Sequence, residues 1–138
     1  MASLATRVVD LMFENDYFSQ WLGIERVEEG PGTCTLKMTV RKEMLNGFGI
    51  AHGGITYSFA DSALAFACNS HGRKAVSVET SISHTKAVKE GDILTAIATE
   101  NSLSNKIGVY HVKVTDQNET VVGLFKGTVY RTSKEWDV

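Results

Sequence analysis

Asn46 to Ser70 reads NGFGIAHGGITYSFADSALAFACNS, and this stretch decides the fold. Glycines crowd its start, the chain turns on His52-Gly53-Gly54, and small or straight-chain residues follow without a proline for about four helical turns. Ile55, Phe59, Ala60, Ala63, Leu64, Phe66 and Ala67 point in almost every direction around that helix. A helix that is apolar nearly all round is a buried one. Thr56, Ser58, Asp61 and Ser62 interrupt it. Aspartate is a poor helix former and is rarely buried without a partner, so Asp61 in mid-helix requires a reason.

Helical spacing places Gly54, Ser58, Asp61, Ala65 and Cys68 on one small, polar stripe that another group can approach closely. At the helix start, Gly53 and Gly54 let a ligand come near backbone N–H groups that a first turn leaves without partners. Those donors and the helix dipole suit a carbonyl oxygen or an anion. The plainer alternative is a tight glycine turn, with the aspartate bonded to a neighbouring strand.

The rest of the chain sets limits. The 138 residues suffice for one domain, 1–138, with a real core. A net charge of −2 gives no basic surface for nucleic acid. No apolar run reaches the roughly 18 residues of a membrane span, and the acidic N-terminus does not read as a signal peptide. Cys34 and Cys68 stand alone in apolar patterns without metal-ligand spacing. They read as buried reduced thiols of a cytoplasmic protein, with no cofactor and no metal.

Leu4, Val8, Leu11 and Met12 predict an amphipathic helix ended by Asn15-Asp16, and Tyr17–Leu22 a short second one. Gly30-Pro31-Gly32 is a turn. Thr33–Val40 alternates as a half-buried strand, with Cys34, Leu36, Met38 and Val40 on one face. Beyond the central helix, Ala75–Ser83, Asp92–Glu100, Ile107–Asp116 and Thr120–Arg131 are rich in β-branched and aromatic residues and read as strands. Gly123 and Gly127 suggest bends or close packing in the last. Short connections favour an antiparallel sheet wrapped on one helix, an α+β arrangement whose exposed edges dimerisation would hide.

Asn46-x-x-Gly49-x-x-His52-Gly53-Gly54, with Asp61 eight residues after Gly53, resembles the hotdog-fold acyl-CoA thioesterases. MLNGFGIAHGG, FADSALAFACNS, GVYHVKV and VVGLFKG resemble the phenylacetic-acid-degradation branch more closely. The resemblance runs along nearly the whole chain. It implies a hotdog fold, with five to six antiparallel strands around one long helix, and hydrolysis of acyl-CoA, with phenylacetyl-CoA or hydroxyphenylacetyl-CoA as substrate. The family's catalytic aspartate falls on Asp61, its carbonyl-polarising glycine on Gly53, its asparagine on Asn46 and a strand serine on Ser77. Gly54 and the loop residues His84, Thr85, Lys86, Asn105, Lys106 and Arg131 fall where relatives contact coenzyme A. The family also implies homotetramers, dimers of dimers, with active sites between subunits.

The chemistry agrees. A thioester carbonyl needs donors where negative charge develops, and a base or nucleophile beside it. Asp61 fits either role. Helix geometry adds a constraint: Gly53 and Asp61 lie about 12 Å apart along one axis, too far to serve one carbonyl carbon. A site using both needs two antiparallel helices, hence two chains.

Other residues read more plainly. His52 positions its loop or touches ligand. Ser58 has no GxSxG motif and no paired histidine. His84 and His111 show no metal spacing. Two functions compete with hydrolysis: an enoyl-CoA hydratase of the same fold, which pairs an aspartate with a histidine on its helix, and a non-catalytic acyl-CoA-binding protein. No histidine lies between Gly54 and Asn69.

Overall fold

A computed structural model describes residues 1–138. In chain order the elements are α1 (Leu4–Glu14), α2 (Tyr17–Leu22), β1 (Glu25–Gly30), β2 (Thr33–Thr39), a 3₁₀ turn (Lys42–Met44), α3 (Gly53–Asn69), β3 (Arg73–His84), β4 (Ile93–Leu103), β5 (Ile107–Thr115) and β6 (Val121–Glu135). The six strands form one antiparallel sheet in the order β1-β2-β4-β5-β6-β3. The sheet curls around α3, which contacts all six strands.

α3 is buried as its sequence demands. Phe59, Ala60, Ala63, Phe66 and Ala67 are fully covered; each large side chain among them gains about 1.5–3 kcal/mol over an exposed one. The face left partly open carries Gly54, Ser58, Asp61 and Ala65, the small polar stripe itself. Cys68, at its far end, is buried. β6 passes close beneath the helix. A Cβ on Gly127 would stand 2.5 Å from Leu64 Cδ2, so any larger residue there forces Leu64 to move.

Two features differ from the sequence reading. β1 is a sixth strand that the pattern did not reveal. Its segment, ERVEEG, shows no period-two alternation, because it is an edge strand with a bulge between Arg26 and Glu28. Arg26 bonds Glu29 and lies 2.7 Å from Asp10 of α1, so ion pairs rather than apolar burial seat the strand. On α1 the buried residues are Ala5, Val8 and Val9. Leu4 and Leu11 sit off that face, and Leu4 instead packs against Gly72, the left-handed residue after α3.

α2 is capped at both ends. The Asp16 carboxylate accepts from the Ser19 N–H at 3.0 Å, and Gly23 ends the helix with φ 74°. Arg41 closes its carbonyl end by donating to Trp21 O and Leu22 O, with its guanidinium 4.9 Å from the Trp21 ring centroid.

Candidate active site

The approach to α3 is a tight turn built on Asn46. Its N–H donates to Ile50 O and its carbonyl accepts from Gly49. Its Oδ1 accepts from the Phe48 N–H at 2.9 Å. Gly49 holds φ 78°, a left-handed conformation that glycine adopts without strain. His52 then caps the helix: its Nδ1 accepts the Gly54 N–H at 3.0 Å. That bond takes one of the two donors expected to face a ligand. The Gly53 N–H keeps no acceptor within the chain. It opens on a cavity of about 420 Å³ lined by Asn46, Gly53, Thr56, His84, Thr85 and Lys86 among others. A side chain at position 53 would press on His84. His52 does not line the cavity; it is a helix cap.

Asp61 faces elsewhere. It lines a second cavity of about 380 Å³ with Ser77, Leu64, Cys68, Met12 and Trp136. Eight apolar residues among its eleven make this wall greasy. No hydrogen bond within the chain holds the Asp61 carboxylate, and its pKa is raised, first by burial and then by the charge of Asp16. A carboxylate left without donors in an apolar wall is poised to act on something that arrives. Ser77, on β3 opposite Val129 and beside a bulge, reaches the same space.

The basic loop positions divide further. Lys106 and Arg131 line a third cavity with Arg73 and Asn105. Arg73 donates to Asn105 Oδ1 and O, and Arg131 Nη1 to Ser104 O. Lys86 pairs with the Asp116 carboxylate at 3.1 Å, and Thr85 Oγ1 donates to Val121 O. Of the positions expected to meet a nucleotide, only His84 and Lys106 make no such side-chain bond within the chain.

Residues 48–122 match the thioesterase superfamily. The chain belongs to that superfamily. The thioesterase is 37% identical over 131 residues to the acyl-coenzyme A thioesterase PaaI of Escherichia coli K12, covering 95% of this chain and 94% of that one. The structure of the E. coli PaaI protein from the phenylacetic acid degradation operon superposes with a TM-score of 0.94, at 36% identity, over 96% of each chain. A Streptococcus mutans UA159 protein bound to acetyl CoA superposes with a TM-score of 0.79, at 27% identity, over 82% of this chain and 91% of that one. The thioesterase therefore has the hotdog fold, is a thioester hydrolase, and acts on acyl-CoA.

Within the thioesterase, four residues near Asp61 escaped the sequence reading. Asp16 looked only like the end of α1, although Asp16 and Ser19 carry the spacing of a helix cap. Ser19 reads only as part of a short apolar helix and Ser62 only as a polar interruption of the central one, yet both are buried and share a 2.8 Å hydrogen bond. Trp136 lies in a polar terminus where no periodicity flags it.

Proposed function

We propose that the protein hydrolyses aryl-acetyl-CoA, phenylacetyl-CoA or hydroxyphenylacetyl-CoA, at sites each built from two chains. One observation carries this reading: in a single chain the free Gly53 N–H and the unbonded Asp61 carboxylate open into different cavities. Neither cavity holds both an oxyanion donor and a base. An antiparallel pairing of two α3 helices, start against middle, supplies both at one thioester.

In that assembly Asn46 and Gly53 come from one chain, Asp61 and Ser77 from its partner. Gly53 N–H polarises the carbonyl. The Asp61 carboxylate takes a proton from water as that water bonds the carbonyl carbon, the C–S bond breaks, and the proton passes from Asp61 to the departing coenzyme A thiolate; or the carboxylate attacks the carbon itself, the thiolate leaves, and water then hydrolyses the acyl–Asp61 anhydride, freeing the acid and supplying the thiolate's proton. His52 holds Gly54 and the helix start in place. Ser77 orients Asp61 or the water. His84, Thr85, Lys86, Asn105, Lys106 and Arg131 offer the nucleotide its polar contacts, and the relative bound to acetyl CoA supports a nucleotide site in this fold. Two dimers assemble as a tetramer that works in the cytoplasm, in keeping with two free buried cysteines whose thiols burial pushes up to about 12.

Refolding Asp61→Ala together with Asn46→Ala tests it. Hybrid dimers recover one intact site, so activity rises above both parents, towards roughly a quarter of wild type for random pairing of independent sites. Activity equal to the parents' average, with hybrids shown to form, puts the site inside one chain.

A further inference from the structure

Trp136 belongs to a tail that folds back across the end of α3. Its backbone N–H donates to Gly72 O at 2.8 Å, and its indole Nε1–H to Asn69 Oδ1 at 2.9 Å. Asn69, only 2% exposed, also bonds Ala65 O and both backbone groups of Ala75, so the indole is tied to helix and strand at once. Lys74 Nζ stands 4.9 Å from the ring centroid. A bulky aromatic side chain so fixed has little freedom to swing away.

Its position gives the ring a use. Trp136 and Met12 line the Asp61 cavity, and both also line a neighbouring notch of about 630 Å³ formed with Leu11, Tyr17 and Phe18 at the α1–α2 corner. Tyr17 and Phe18 are 73% and 53% exposed there. The indole is thus part of the partition between a compact apolar cavity holding the carboxylate and a larger, mostly apolar notch whose remaining wall is Asn15 and Asp16.

We infer that Trp136 is the residue that sets acyl length: it ends the pocket beyond Asp61, admits a single aryl group, and shuts longer acyl chains out of the α1–α2 notch. The inference rests on Asp61 marking the acyl site. A flat ring at the end of an apolar pocket suits the edge or face of an aryl group, and a wall that excludes extra methylenes discriminates by about 10–200-fold.

The experiment measures kcat/KM for phenylacetyl-, 4-phenylbutyryl-, hexanoyl- and decanoyl-CoA with the wild type, Trp136→Ala, Trp136→Phe and Asp61→Asn. Opening the partition raises the decanoyl-to-phenylacetyl ratio at least tenfold in Trp136→Ala, while Trp136→Phe stays within about threefold of wild type. An unchanged ratio in Trp136→Ala overturns the inference. Because that variant loses the indole's bond to Asn69 and its contact with Lys74, a second measurement needs no change at Trp136. In Trp21→Phe with Asp61→Asn, Trp136 is the sole tryptophan. Its emission shifts on adding phenylacetyl-CoA but not coenzyme A alone; equal responses to both also overturn the inference. Failure of the site reading looks different: Asp61→Asn retains full turnover.

Discussion

Ser19 Oγ lies 2.8 Å from Ser62 Oγ, and this buried bond locks the α2 corner to the helix that carries Asp61. Ser19 Oγ also bonds Asp16 Oδ2 at 2.6 Å. A second carboxylate is therefore fixed near the first by a chain of short polar contacts.

That arrangement predicts a pH effect. The Asp61 pKa is raised by burial and, secondly, by the Asp16 charge. Asp16→Asn removes the charge yet still caps α2, since asparagine caps as well as aspartate. The acid limb of the kcat/KM profile, which reports the free enzyme's base, moves to lower pH. A limb that stays in place shows that Asp16 exerts no influence on the working carboxylate.

Asp61→Asn should lower turnover of phenylacetyl-CoA by about 10²–10⁴, the usual value of a positioned base, or by more if Asp61 is the nucleophile. The same change should stabilise the fold. Asp61 has a folded pKa above its unfolded one, so the stability tied to its protonated form is fully present below the unfolded pKa and is lost as pH rises through the folded pKa. At neutral pH the wild type carries this loss and the asparagine variant does not. Thermal melts should show a higher Tm for the variant at pH 7, by roughly 2–8 °C per kcal/mol, with the gap closing towards pH 3. A variant less stable at pH 7 would mean that Asp61 has a stabilising partner in the assembled protein.

Coenzyme A is highly charged, and Lys106 is a free cation beside Arg73 and Arg131. KM for acyl-CoA should rise with ionic strength while kcat changes little, and Lys106→Ala should flatten that dependence. If salt leaves KM alone, the nucleotide lies away from this corner.

Gly127→Ala and Gly127→Val test the helix–strand packing. A Cβ there meets Leu64 at 2.5 Å. Alanine should cost about 1–3 kcal/mol through forced movement of Leu64, and valine more; denaturant melts give the value. An alanine variant as stable as wild type would mean that the helix rides higher over β6.

The sequence made the helix and its carboxylate legible because burial and charge pull against each other there: an aspartate in the least polar helix of a chain stands out. Strands β2 to β6 were legible through alternation and β-branched residues. β1 was not, since an edge strand held by Arg26, Asp10 and Glu29 leaves no apolar rhythm. Gly53 and Gly54 looked alike as donors, and only the fold shows that His52 occupies one of them. The neighbours of Asp61 were hidden for a different reason. Asp16, Ser19 and Trp136 reach it from α2 and from the terminus, and pairing across such distances in sequence has no local signature.

The strand order has a consequence for synthesis. β3 follows α3 directly, but its sole neighbour in the sheet is β6, the last strand of the chain. Ala75 pairs with Arg131, and Val76 with Tyr130. Until β6 leaves the ribosome, β3 has no strand to bond, and the underside of α3 at Leu64 lacks Gly127. Folding must therefore wait for β6. Contacts so distant in sequence are slow to close, and a chain truncated before β6 exposes a long unpaired edge, the form of nascent protein that invites aggregation and chaperone capture.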